Sequence, residues 1–187
     1  MKTDIRPITA TDAFAIASIH AESWRSAYRG ILRDEYLDID LIGNRVAIWT
    51  KRLNPMPARH FGYIATTNGE PVGFTFAFGA HDIRWGTQID NLHVLPRLKG
   101  GGLGRTLLAA FAGHACEHYS GAGVYLWVYE RNVAARGFYE RIGGVLAEQV
   151  DVMSPDGRLL PECRYVWESP VHLLNQCRMT ALDEQRR

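Results

Sequence analysis

Cysteine is scarce in this chain. Cys116, Cys163 and Cys177 are odd in number and far apart, and none has a partner at metal-ligand spacing. That argues against a disulfide framework or a bound zinc and for reduced thiols in a cytoplasmic protein. A surplus of charge is also missing: 21 basic against 20 acidic side chains leave +1. Such balance gives no reason to expect a nucleic-acid or membrane partner. No apolar run approaches the ~20 residues that span a bilayer. The opening stretch, MKTDIRPITATD, lacks the apolar segment of a signal peptide. Repeats, low-complexity tracts and dividing linkers are absent too. What remains is 187 residues with 47% hydrophobic side chains, enough for a sizeable core. The expectation is a single domain over residues 1–170, with 171–187 as a C-terminal tail or short helix.

Residues 89–112, IDNLHVLPRLKGGGLGRTLLAAFA, organise the rest. An apolar strand stops at Pro96. A basic, glycine-dense loop follows, from Arg97 through Lys99, Gly100, Gly101, Gly102 and Gly104 to Arg105. Helical spacing then begins, with Leu103, Leu107, Leu108 and Phe111. Strand, glycine loop and helix together make an anion site. The first-turn N–H groups of a helix have no partner inside it, and the macrodipole makes that end positive. Glycine lets a phosphate touch the backbone without a Cβ in the way.

The flanking segments suggest a mixed sheet. Residues 5–8 read as a strand, and Thr11-Asp12 opens a helix that leads to Trp24 and Tyr28, four apart and so on one helical face. Residues 33–53 keep helical spacing, with acids near the start. Residues 60–67 and 71–78 form a hairpin through Asn68-Gly69, and 83–95 is the next strand. After the glycine-loop helix, 103–118, come a strand at 124–129, a helix opened by Asn132 and closed by Gly143-Gly144, and a last hairpin. The order is β-α-α-β-β-β-α-β-α-β-β. The fold class is therefore α/β (α+β), with helices flanking a sheet. The strand–helix–strand unit around the glycine loop is expected to be a right-handed parallel crossover.

Two common phosphate motifs do not fit. A P-loop needs Gly-Lys followed by Ser or Thr, which the loop lacks. The dinucleotide fingerprint needs a third glycine where Arg105 or Leu107 stands. The loop instead resembles the acyl-CoA signature of the GNAT superfamily of N-acyltransferases. It reads Lys99-Gly100-Gly101-Gly102-Leu103-Gly104 after Val94-Leu95-Pro96, and Asn132 is followed seven residues later by Tyr139. The element order agrees over roughly residues 3–168.

The resemblance implies a GNAT-like, mostly antiparallel sheet of six to seven strands. It also implies an acetyl-CoA-dependent N-acetyltransferase whose co-substrate is acetyl-CoA, with no metal. The loop from Lys99 to Arg105, including Leu103, would seat the pyrophosphate. Backbone groups near Leu92, His93 and Val94 would bind the pantetheine arm, with a Val94 N–H polarising the thioester carbonyl. The Asn132 side chain would bond the arm, and Tyr139 would be the general acid for the departing thiolate. The amine attacks directly in a ternary complex. Trp127 stands where some protein N-terminal acetyltransferases of the superfamily carry glutamate, so their substrate is not carried over.

Attack requires an ammonium of pKa near ~10 to lose a proton. Strict alternation puts Asp90, Leu92 and Val94 on one face of their strand, which makes Asp90 the leading base and Glu22 the second. His93 then faces away and reads as structural. Glu22, Trp24 and Tyr28 are the candidate acceptor-site residues, with Asp34, Glu35, Asp38 and Asp40 near the mouth to attract a cation. A primary amine of a small molecule, such as a polyamine, is the expected acceptor. A protein or peptide amine, or a non-catalytic acyl-CoA sensor, is the alternative. A homodimer stays open. His114-Ala115-Cys116-Glu117-His118 also matches the H-x-x-E-H zinc-peptidase pattern, but no third ligand is evident. Polar residues on the outer half of a helix explain it more simply.

Overall fold

The protein is described from a computed structural model, covering residues 3–185, with side chains through residue 180. Its core is a seven-stranded sheet in the order β1-β2-β3-β4-β5-β7-β6. The strands are β1 (Thr3–Pro7), β2 (His60–Thr67), β3 (Glu70–Asp82), β4 (Gly86–Val94), β5 (Val124–Tyr129), β6 (Val145–Met153) and β7 (Leu159–Trp167). The helices are α1 (Ala13–Ala27), α2 (Asp34–Asp38), α3 (Leu41–Leu53), α4 (Leu103–His118), α5 (Val133–Arg141) and α6 (Pro170–Gln185). The 33–53 segment is thus two helices. Asp40 stops the first register and caps α3 by accepting from the Gly43 N–H at 2.9 Å.

The β4–β5 pair is parallel and all other strand pairs are antiparallel. On one face, α4 packs over β2 to β4, and α6 packs beside it against β7. Phe111, Leu126, Tyr165 and Trp167 are buried there, together with Leu173 and Cys177 of α6. Leu173 and Cys177 thus seat the first turns of α6 against the core. Burial pushes the Cys177 thiol up to about 12, so it serves as an inert apolar group. On the other face, α1 and α3 cover β3 and β4, with Trp49, Phe74 and Phe76 fully enclosed.

Two local features shape the site. β4 and β5 pair only at Thr87, Gln88 and Ile89, opposite Val124, Tyr125 and Leu126, and then part. At that point β4 carries a bulge: Ala77 faces Ile89, Phe76 faces Asn91, and Asp90 is the extra residue. Among the described residues, no helix is long and apolar enough to cross a membrane.

Candidate active site

The parted strands open a cleft of about 420 Å³ that runs from the glycine loop to α1. At one end Gly102 caps α4 in the left-handed region, φ 79°, with Gly100 at φ 82°. Both positions favour glycine on backbone grounds alone. Gly104 differs. A Cβ there would meet Phe138 at 3.6 Å and Val94 at 3.9 Å, ordinary contact distances. The fold itself would accept a side chain at 104, so its absence leaves room for something that is not protein. Thr106 is the first N–H of α4 with a helical partner, donating to the Gly102 carbonyl at 3.0 Å. The amides before it point out of the helix start. Lys99 and Arg105 line this end, and burial lowers the Lys99 ammonium's pKa. Arg97 instead reaches toward Glu22, at 4.0 Å.

The strand wall follows from hydrogen-bond parity. Leu95 N–H donates to the Val72 carbonyl at 2.9 Å. Antiparallel pairs alternate, so His93 also bonds β3, while the peptide groups of Val94 and Leu92 turn away from β3 toward the opening. Val94 and Leu92 therefore offer free backbone to the cleft, as expected, but His93 does not. Its backbone belongs to the sheet.

The bulge also overturns the expected faces. With Asp90 as an extra residue, Leu92 pairs with Thr75 and Val94 with Gly73, while His93 pairs with Phe74. His93 therefore joins the α1 side, 5.4 Å from the Phe74 ring and stacked on His20 at 4.6 Å. Its Nδ1 lies 3.1 Å from the Ser23 hydroxyl, and the residue lines the cleft. Burial, then the charges of Lys99 and Arg45, push its pKa down to about 3. It is a neutral imidazole throughout the physiological range. Asp90 shares the α1–α3 side, not the face of Leu92 and Val94. Arg52 of α3 donates to its Oδ2 at 2.6 Å and the Asn91 amide donates to the same oxygen at 2.5 Å, while Asp90 itself lines the cleft.

From α5, Asn132 and Tyr139 complete the wall. Asn132 caps the helix, its side-chain oxygen accepting from the Ala135 N–H at 3.3 Å, which leaves its NH₂ group to donate. Tyr139 packs between Phe138, Tyr165 and Trp167. Burial raises its phenol above the usual range, so it holds its proton at neutral pH.

At the far end Tyr28 lines the cleft, while Trp24 and Glu22 do not. Trp24 is a packing residue, edge-on to His20 and Tyr28 and covered by the Arg45 guanidinium at 4.4 Å. Glu22 is exposed, and the ion pair with Arg97 is its link to the glycine loop. The acids near the mouth are largely engaged. Asp34 and Asp38 pair with Arg29 at 3.1 and 2.7 Å, and Asp40 caps α3. Ser23, Asn91 and Arg52 were missed in the sequence; each enters through the bulge or through helix packing, neither of which has a local signal. His114 stacks on Phe61 at 4.1 Å. Among the described residues, no group of three His, Cys, Asp or Glu side chains is placed to hold a metal.

Residues 16–144 match the model of the acetyltransferase (GNAT) family. The chain belongs to that family. It is 36% identical over 143 residues, 73% of this chain and 76% of the relative, to a probable N-acetyltransferase of Mycobacterium tuberculosis. Among solved structures, the fold is like that of PaiA N-acetyltransferase from Thermoplasma acidophilum in complex with coenzyme A. The TM-score is 0.69 at 17% identity, covering 87% of this chain and 98% of that one. It is also like yncA from Salmonella typhimurium with its cofactor acetyl-CoA, with TM-score 0.63 at 21% identity over 90% and 94%. This GNAT protein is an acetyl-CoA-dependent N-acetyltransferase.

Proposed function

We propose that this GNAT enzyme acetylates a primary amine of a small molecule by direct attack within a ternary complex. The observation that carries the reading is the continuity of the cleft. A single space joins the glycine loop, the turned-out Val94 amide, Tyr139 and Tyr28. Donor and acceptor meet in it without an acyl-enzyme in between.

In this account the amides of residues 100–105 hold the pyrophosphate, helped by Lys99 and Arg105. The Leu92 and Val94 peptides and the Asn132 NH₂ hold the pantetheine arm. The Val94 N–H faces the thioester oxygen as negative charge builds on it. The ammonium's proton leaves to Asp90 Oδ1, directly or through water. The amine nitrogen then attacks the carbonyl carbon, and the C–S bond breaks. The thiolate takes a proton from Tyr139, and the phenolate is reprotonated by the second proton that the nitrogen loses as the amide forms.

Support for a small acceptor comes from how the far end is closed. The β6–β7 turn is tied to the segment between α1 and α2 by two bonds. Arg33 N–H donates to Asp156 at 2.7 Å, and the Arg158 guanidinium donates to the Ile31 carbonyl at 2.6 Å. Asp156 is half of an Arg158 pair at 2.7 Å. Tyr28 also meets Tyr129 of β5 edge-on at 5.4 Å. These ties leave little room for an extended peptide. A panel of alkyl amines and of peptides with free N-termini, assayed for CoA release, tests the reading. Acetylation of amines in preference to peptides is expected. Peptide acetylation without amine acetylation overturns it.

A further inference from the structure

Glu162 of β7 was not among the candidate residues. It lies directly across from Tyr129 on β5 and Val150 on β6. Its neighbours along the same face, Leu160 and Val152, pack under the α1–α2 segment beside Ala21, Leu37 and Tyr129. Several other acids nearby have cationic partners: Asp34 and Asp38 have Arg29, Asp156 has Arg158, Glu148 has Arg164 at 2.7 Å, and Asp90 has Arg52. The Glu162 carboxylate makes no hydrogen bond or ion pair with any described residue. It is half-buried, and burial raises its pKa. Arg164, two residues along on the same face, is committed to Glu148 and to the faces of Trp85, Tyr125 and Trp127.

What surrounds Glu162 is aromatic. The phenols of Tyr28 and Tyr129 are raised by burial first, and the nearby Glu162 charge raises both further. Tyr28 lines the cleft and meets Tyr129, the cross-strand neighbour of Glu162, edge-on at 5.4 Å, so it links Glu162 to the cleft. A half-buried carboxylate without a counter-charge is unfavourable until a cation arrives. Phenol rings beside a carboxylate favour an alkylammonium over a neutral or anionic group.

We infer that Glu162 is the counter-charge for a second cationic group of the acceptor, which makes the preferred acceptor an aliphatic diamine or polyamine. One amine lies at the thioester near Tyr139, and the other lies past Tyr28 against Glu162. This inference rests on the small-amine reading above and specifies it.

The test compares 1,4-diaminobutane and spermidine with 1-aminobutane by steady-state kinetics. The wild-type enzyme is expected to favour a diamine or polyamine over the monoamine by about tenfold or more in kcat/KM, mainly through KM, the size expected of a charge-assisted contact. Glu162→Gln is expected to abolish that preference. Glu162→Asp, which keeps the charge, is expected to retain much of it. Acetyl-CoA affinity measured by calorimetry checks that both variants are folded. Equal handling of monoamine and diamines by the wild type, or a preference that survives in Glu162→Gln, overturns the inference and leaves the small-amine reading standing. Acetylation of peptides and of none of the amines overturns both.

Discussion

The two ends of the cleft are built from different material. The donor end is backbone: amides at the start of α4, and peptide groups of β4 freed where β5 departs. In the proposed assignment the acceptor end is side chains from distant segments: Tyr28 at the end of α1 and Asp90 of β4 line the cleft, and Glu162 of β7 lies beyond them, across from Tyr129. A backbone site is fixed by the fold and tolerates sequence change outside its glycines. A side-chain site can be rewritten one residue at a time. The donor is therefore general to the architecture, while the acceptor is particular to this chain.

The sharpest way to break that comparison is at the centre, where the ends meet. Tyr139→Phe removes the proton donor and leaves the backbone seat intact. Turnover is expected to fall about 10²- to 10⁴-fold, with acetyl-CoA affinity by calorimetry within about twofold of wild type, since the seat's backbone contacts remain. An unchanged kcat would remove Tyr139 from its role.

Asp90→Asn comes next. It is expected to lower kcat by about a hundredfold with little change in acetyl-CoA affinity. A kcat that matches wild type would leave Asp90 with the structural task of holding Arg52.

A smaller effect isolates the donor end. Gly104→Ala places its Cβ at ordinary contact distances within the protein, so the melting temperature should hold. Its methyl group nonetheless enters the space assigned to the pyrophosphate. The KM for acetyl-CoA is expected to rise about tenfold, equivalent to about 1.4 kcal/mol, with the acceptor KM unmoved. A matching rise in both would mean that the two ends are not separable.

The smallest effect belongs to the acceptor side and concerns stability. His20 accepts from the Trp49 indole N–H at 3.0 Å, and both His20 and His93 are held neutral chiefly by burial. Their folded pKa values lie below the unfolded value of ~6.5. The unfolded chain therefore takes up protons that the native chain refuses. The stability is present above pH ~6.5 and is lost as pH falls toward His93's folded value of about 3. By pH 5.5 the loss is about 1.4 kcal/mol for His93, and His20 adds to it in the same direction. Urea unfolding at pH 7.5 and 5.5 checks this, and His93→Gln should reduce the difference by its share. A stability that does not fall with acid would contradict the neutral pair.

The same contrast explains what could be read from the sequence. Gly100 to Gly104, Asn132 and Tyr139 could be singled out because their spacing lies within one element and its cap, where spacing is geometry; Gly100, Gly102, Gly104, Asn132 and Tyr139 line the same cleft. The succession of seven strands along the chain was legible for a similar reason: Asn68-Gly69, the glycine loop and Gly143-Gly144 are local signals. The face of His93 was not, because it depends on a bulge set by how β3 pairs with β4. Nor was the fate of Asp34 and Asp38, which depends on Arg29 folding back over α2. Glu162 gave no signal at all. Its significance comes from the cross-strand position of Tyr129 and the arrival of Tyr28, both set by tertiary packing.

The central claim is that donor and acceptor occupy the cleft together. Initial rates measured with acetyl-CoA and an accepted amine both varied test it most directly. Double-reciprocal lines that intersect are the predicted result. Parallel lines, the pattern of an acyl-enzyme that forms before the amine binds, would contradict it.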